Sequence, residues 1–378
     1  MTLTDAQKPG VHLPLTTRLA WLRLIRSENV GPATFRALIN RYGGAEAALE
    51  ALPDLADRGG RKIRVASQGA VEEEMAKAER LGARFVCLGE PDYPVLLRRT
   101  EQAPPVLAVM GGADVLTRPA VAIVGARNAS LSGIKLTRRF AAELGRAGYT
   151  VVSGLARGID AAAHEASLAT GTVGVFAGGL DRPYPSENRP LMRQIVDADG
   201  CLISEMPFGW EPRARDFPRR NRLVAGMALG LLVVEAATRS GSLISARLSA
   251  EMGRLVFAVP GSPLDPRAVG TNGLLKEGAI LATDADDVIA ALRPLDARMT
   301  PNEGDVALEE PAGNGPADEP VEGERERIVE TLGTTPIDID DIIAHTGSSS
   351  GAVQLVLLEL DLAGRLERHA NGRVSLLL

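Results

Sequence analysis

Ala120-Val121-Ala122-Ile123-Val124-Gly125-Ala126-Arg127-Asn128-Ala129-Ser130 is a five-residue apolar run followed by a glycine, an arginine and a polar lead into a helical pattern. A short apolar, partly β-branched run closed by glycine reads as a buried strand that ends in a sharp turn. The same alternation repeats along the chain. Strands are expected at 120–124, 150–152, 172–176, 201–204, 231–234, 255–259 and 279–281, with amphipathic helices between them at 134–147, 159–169, 187–199 and 243–252. Apolar strands that alternate with helices predict an extended Rossmann-like α/β fold, a parallel sheet with helices on both faces. Ligands of such sheets bind outside the carboxyl ends of the strands.

The loops at those ends therefore carry the chemistry. After the first strand, Gly125 lets the backbone turn and leaves amides open toward the next helix, a geometry suited to anions. A dinucleotide site would need Gly-x-Gly-x-x-Gly here and an acid at the end of the second strand. Position 127 is Arg127, and the second strand ends Val152-Ser153-Gly154. Both features count against NAD, whereas a planar guanidinium beside open amides suits phosphate. Ser153-Gly154-Leu155-Ala156-Arg157-Gly158-Ile159-Asp160 repeats the design, and Gly178-Gly179-Leu180-Asp181-Arg182-Pro183-Tyr184-Pro185 leads into Ser186-Glu187-Asn188. Each loop alone reads equally as a tight strand–helix turn; three in register make an anion-binding rim. Between 212 and 222 lie five arginines against Asp216, with Phe217 and Pro218 among them and an apolar helix expected directly after. Such a run reads either as a solvated face or as a surface for a nucleic-acid strand, whose phosphates pair with arginine and whose bases stack. Ser240 or Ser242 in Arg239-Ser240-Gly241-Ser242 is placed to cap a further helix, adding another anion site.

Four segments are expected: a helical domain at 1–80, the sheet domain at 81–295, an acidic linker at 296–323, and a winged-helix domain at 324–378. Near the start, helical spacing on both sides of Asn29-Val30-Gly31-Pro32-Ala33-Thr34 resembles a helix-hairpin-helix (or a SAM-like bundle), which fits a phosphate-holding hairpin and a structural bundle equally. The net charge of -6 looks unsuited to a nucleic-acid binder, but 296–323 holds eight acids against Arg298, a net of -7, and leaves +1 elsewhere. That stretch is rich in Pro, Gly and Ala, as flexible linkers are. Beyond it, three helices (325–332, 337–346, 350–363) and a hairpin fit a winged helix, open to reading as a DNA reader or as a protein-interaction module.

Cys87 and Cys201, the two cysteines, lie in apolar runs and are read as core residues. The first ten residues contain no apolar segment of signal-peptide type, and no apolar run approaches a membrane span, so a reducing, cytoplasmic setting is expected. His12, His164, His345 and His369 are dispersed, and no spacing of Cys and His fits a metal. No cofactor and no metal are expected.

Taken in order, Ile123–Arg127, Ser153–Asp160, Gly179-Leu180-Asp181 with Tyr184-Pro185 and Asn188, Ser204-Glu205, Phe217-Pro218-Arg219-Arg220-Asn221-Arg222 and Ser240-Gly241-Ser242 resemble the DNA-processing protein A (DprA/Smf) family. The resemblance covers about half the chain, with weaker likeness in the flanking domains. It implies binding of single-stranded DNA in a positive pocket, homodimerisation through the sheet domain, and loading of a RecA-type recombinase during natural transformation, with no catalytic residue. Carried over by motif, Arg127, Arg157, Arg220 and Arg222 would meet phosphates, with Gly125, Ser153 and Gly154 shaping the pocket. Ser130, Gly179, Asn188, Arg219, Asn221, Ser240 and Ser242 complete the expected DNA-binding set.

Two competing readings stand beside it. One is a nucleotide-processing enzyme like the phosphoribohydrolases of the lysine-decarboxylase-like group, although their Pro-Gly-Gly-x-Gly-Thr-x-x-Glu loop has no glutamate at the equivalent spacing in 238–250. Asp160, Asp181, Glu205 and Glu235 would then be a buried acid set, rather than residues that orient arginines or cap helices. The other is a protein-binding scaffold with a vestigial pocket.

Overall fold

Valine, isoleucine and leucine fill the strand positions of the central segment, and the computed structural model gathers them into one nine-stranded sheet. The structure describes residues 12–299, 319–321, 323–369 and 372–377. The strands are β1 Ala83–Cys87, β2 Val106–Gly111, β3 Ala120–Val124, β4 Thr150–Ser153, β5 Thr172–Val175, β6 Cys201–Ser204, β7 Gly230–Val233, β8 Leu255–Ala258 and β9 Ile280–Leu281. Their order in the sheet is β1-β2-β6-β5-β4-β3-β7-β8-β9. From β6 to β9 every neighbouring pair is parallel, so the seven expected strands are all present.

The expectation of a purely parallel sheet needs correction at one edge. β1 and β2 pair antiparallel with each other, and β2 pairs antiparallel with β6. The connection between β1 and β2 carries only the one-turn helix Val95–Arg98, whereas parallel neighbours need a full crossover. Periodicity identifies such runs but does not give their direction.

Burial on both faces explains the apolar runs. Val121, Ile123, Val151, Leu232 and Phe257 are fully buried, and Phe140, Leu144 and Ile159 from the covering helices pack against them. Ser130 starts the helix Leu131–Arg146 by accepting the Gly133 amide at 2.9 Å. Asp284 and Asp287 form a reciprocal capping box at Ala285–Leu292. Cys87 and Cys201 are both buried thiols that are not joined in a disulfide.

The described chain divides into two compact units. The first holds the sheet and runs from Glu74 onward. The second joins the helices Leu15–Arg26, Pro32–Tyr42 and Ala45–Arg58 to the C-terminal winged helix, whose strands are β10 Ile337–Asp338, β11 Leu366–Arg368 and β12 Arg373–Leu376. The sequence separates those two parts by more than two hundred residues and reads them as domains of their own; in the structure they share one unit. Most of the acidic segment 296–323 lies outside the described residues. Among the described residues, no helix is long and apolar enough to cross a membrane.

His164, on the helix Ile159–Ser167, is fully buried and sits 2.7 Å through Nδ1 from the Thr172 hydroxyl. That hydroxyl donates to the Val151 carbonyl, so the imidazole donates to it. Burial, reinforced by the charge of Arg220, pushes the His164 pKa from 6.5 down to about 3. The unfolded chain therefore takes up a proton between those values that the folded chain refuses, and the His164 contribution is complete above pH 6.5 and fades below it. Thermal melts should show a smaller fall in Tm from pH 7 to pH 5 in His164→Asn than in the parent; equal falls would contradict a neutral buried imidazole.

Candidate nucleic-acid interface

The chain runs from β3 toward β6 on one side and returns through β7 on the other, so the switch point of the sheet lies between β3 and β7. A nucleotide would normally bind there. Here the chain supplies its own anion. Glu235, just after β7, accepts the Ser130 amide at 2.9 Å and the Ser130 hydroxyl. A Cβ at Gly133 would lie 2.6 Å from that carboxylate, so the helix start fits closely around it. Gly125 is equally confined, against Ile159 and the Glu235 carbonyl. At the helix start after β3, where an open amide is expected, the Ser130 amide is thus occupied by an internal carboxylate. The second loop behaves likewise, because Asp160 accepts the amides of Gly154 at 3.2 Å and Ala156 at 3.3 Å. A buried acid is stable only with such partners; burial nevertheless raises its pKa above the ordinary 3.8.

Positive charge at the sheet edge therefore comes from side chains. A pocket of about 280 Å³ opens beside the ends of β4 and β5, lined among others by Arg127, Arg157, Arg220, Tyr184 and Phe217. Arg220 forms its floor. It is 6% exposed, and its Nη1 donates to the carbonyls of Gly154 and Val175. A Cβ on Gly154 would stand 2.6 Å from the guanidinium carbon, so only glycine admits this arginine. Burial first, then the nearby charge of Arg127, lowers the Arg220 pKa from 12.5 to about 10, with Asp160 acting in the opposite direction. It remains a cation at neutral pH.

Arg127 is exposed, with its guanidinium carbon 5.6 Å from the Phe217 ring centroid. Tyr184 lies 5.4 Å from the same ring, centroid to centroid, and is 53% exposed. Arg157 stands at the rim, 3.7 Å from Glu187 and exposed. The pocket thus combines guanidinium groups with an aromatic pair, the partners of phosphate and base.

The other expected residues divide by position. The basic run does not wholly precede its helix, as the sequence suggests; the helix Asp216–Met227 contains its last three arginines, Arg219, Arg220 and Arg222. Asp216 holds its start, accepting the Arg213 amide at 2.8 Å and the Trp210 indole at 2.9 Å. Arg219 and Arg222 both turn to Glu205, away from the pocket lining, and Arg222 also donates to the Gln102 carbonyl. Asn221 accepts from Arg220 Nε at 3.3 Å. Asn188 donates to the carbonyls of Leu155 and Ala156 and so fastens the β4 loop. Ser153 donates to the Ile123 carbonyl. Gly179 donates its amide to Trp210, and Ser240 caps the helix Gly241–Glu251 with its hydroxyl 2.7 Å from that of Ser242. These residues shape the loops rather than line the pocket. Tyr184 and Glu187 are lining residues missing from the expected set, although Tyr184-Pro185 sits in a quoted motif.

Residues 84–293 match the family model described as DNA recombination-mediator protein A. Residues 16–77 match a DprA-like N-terminal HHH domain, and 310–372 a DprA winged helix domain. The chain is 33% identical over 318 residues to Protein Smf of Escherichia coli, covering 81% of each chain. It is 42% identical over 200 residues to DNA processing protein DprA of Streptococcus pneumoniae, covering 52% of this chain and 70% of that one. The X-ray structure of DNA processing protein A from S. pneumoniae aligns with a TM-score of 0.62 and 33% identity, over 74% of this chain and 98% of that chain. The Helicobacter pylori protein, whose structure concerns its single-stranded DNA binding mode, aligns with a TM-score of 0.51 and 29% identity, over 56% and 96%.

The two kinds of arginine should separate on mutation. Arg222→Ala removes a buried charge partner from the Glu205 carboxylate and should cost about 3 kcal/mol in urea unfolding. Arg127→Ala, exposed and without a buried partner, should change stability by no more than about 0.5 kcal/mol. Equal costs would mean that Arg222 is not structural.

Proposed function

The chain belongs to the DNA recombination-mediator protein A family, and from that premise we propose that its arginine pocket binds single-stranded DNA through the phosphates. In this reading the protein is a cytoplasmic homodimer that hands the strand to a RecA-type recombinase during natural transformation and recombination. It binds and delivers without catalysing a reaction.

One observation carries the proposal: Arg127, Arg157 and Arg220 stand around the tilted ring pair of Tyr184 and Phe217 at the carboxyl ends of β4 and β5. Arginine meets two phosphate oxygens at once, and each base stacked on an aromatic contributes about 1–3 kcal/mol. An extended single strand exposes both faces to such a site, whereas a duplex hides its bases. Nothing in this lining reads base edges, so affinity should depend little on sequence.

The acids considered for an enzymatic reading have other work. Asp160 holds loop amides, Glu205 holds Arg219 and Arg222, and Glu235 holds Ser130. Asp181 takes Lys77 at 2.6 Å and the Gly209 amide at 2.7 Å, and the lysine holds its pKa below the ordinary value. None of these four is among the lining residues. Their engagement supports binding rather than hydrolysis.

Fluorescence anisotropy with labelled single-stranded and double-stranded DNA at several salt concentrations tests this. The parent should prefer single strands and weaken steeply with salt. Arg127→Ala/Arg157→Ala, whose parent side chains are exposed, should lose affinity and reduce the salt slope by about 1.4, about 0.7 for each phosphate contact removed. A double variant that binds like the parent, or a parent that binds no single strand, would overturn the assignment.

A further inference from the structure

The winged helix raises a separate question, because winged-helix domains commonly read duplex DNA with the second helix of their helix-turn-helix pair. In this chain that helix is Ser350–Leu362, preceded by Ile339–Thr346. Its sequence is apolar on two sides. Val353, Val356, Leu357 and Leu360 face the winged-helix core. Leu355, Leu358, Glu359 and Leu362, spaced at i, i+3, i+4 and i+7, form a stripe on the opposite side. In an exposed reading helix that stripe would meet DNA. Here each of its four residues is at most 2% exposed.

What covers the stripe is the N-terminal helical segment, packed through Ala45–Arg58 and Pro32–Tyr42. Gly59 makes the approach possible. A Cβ there would lie 2.7 Å from the Glu359 carbonyl carbon and 2.9 Å from the Ala363 methyl group. Gly59 has φ -70°, which any residue adopts, so its glycine character serves this contact rather than a turn. Polar groups fix the register. Asn29 Nδ2 donates to the Leu362 carbonyl at 2.8 Å, the Thr34 hydroxyl donates to Asp361 at 2.8 Å, and Arg365 donates to the Gly59 carbonyl at 3.1 Å. The buried Glu359 receives Arg325 through two hydrogen bonds, at 2.8 and 2.9 Å, with Arg58 3.9 Å away.

Charge points the same way. From Ile339 to Leu362 the sequence has four acids, Asp340, Asp341, Glu359 and Asp361, and neither lysine nor arginine. Phosphate contact is the main source of affinity for duplex DNA, and this pair of helices offers no cation for it. Asn29 and Thr34 belong to the hairpin that the sequence left open as a phosphate holder, and both side chains are spent on the winged helix.

We infer that the winged helix is a docking module whose second helix is committed to the N-terminal helices, and that neither element reads duplex DNA. This does not rest on the reading of the arginine pocket.

The test uses the full chain with a protease site inserted between residues 312 and 313. After cleavage, the winged-helix fragment should stay with the remainder on gel filtration at micromolar concentration. Gly59→Leu should release it, as should Leu358→Arg, with circular dichroism confirming that both variants are folded. In the uncleaved full chain, Gly59→Leu should bind duplex DNA within threefold of the parent. A parent fragment that separates on cleavage, folded variants that retain it, or a loss of duplex affinity beyond threefold would overturn the inference. Single-strand binding by the pocket is scored separately and is expected to be the same in all these proteins.

Discussion

A guanidinium buried beneath a sheet edge sets the terms for everything around it. Arg220 reaches across the ends of β4 and β5 and donates to the carbonyls of Gly154 and Val175, with Asp160 close enough to affect its charge. These carbonyls sit where the strands have stopped pairing, so an acceptor-rich rim would otherwise face the pocket. The arginine satisfies them and turns the floor positive. Gly154 has no side chain because the guanidinium occupies that space. Asp160 then ties down the neighbouring amides, and Asn188 fastens the following carbonyls. The floor is rigid, and the cations above it, Arg127 and Arg157, are exposed and adjustable. A fixed charge beneath movable ones suits a ligand whose phosphates are evenly spaced but whose backbone bends.

The division of charge follows from the same economy of partners. Open backbone amides in such loops and at helix starts attract anions, and the chain fills two such positions with its own Glu235, at a helix start, and Asp160, in the loop after β4. The site thereby gives up amide recognition, which favours one compact phosphate, in favour of guanidinium groups spread along a rim. A polymer with many phosphates is better served by the second arrangement.

The strands are legible in the sequence because both faces of the sheet are covered, and each strand is consequently a short uninterrupted apolar run between turn residues. Val121 and Leu232 are buried for the same reason that they can be read. The loops after β3, β4 and β5 are legible because small residues followed by an arginine come after each strand. What cannot be read is phase. Arg219-Arg220-Asn221-Arg222 looks like one basic run, but on a helix starting at Asp216 its members point differently. Arg219 and Arg222, three apart, share the side that meets Glu205; Arg220, about 100° round from Arg219, meets the sheet. Starting that helix at the apolar residues rather than at Asp216 leaves the run as a loop and hides the difference. The direction of β1 and β2 is hidden likewise, since an apolar run has no sense. The joining of the N-terminal helices to the winged helix depends on contacts far apart in the chain, such as Asn29 with Leu362, to which no local pattern points.

The filled switch point has an evolutionary corollary. Because the Glu235 carboxylate occupies the space that any side chain at position 133 would enter, an acid at 235 and a residue larger than glycine at 133 are mutually exclusive. Position 133 cannot enlarge while the acid keeps its place. A lineage that lost the acid would be free to enlarge position 133, and could then recover glutamate only by first restoring glycine. The two sites, about a hundred residues apart in the chain, are therefore ordered in their changes: the acid at 235 has to leave before position 133 can enlarge, and glycine has to return before the acid can.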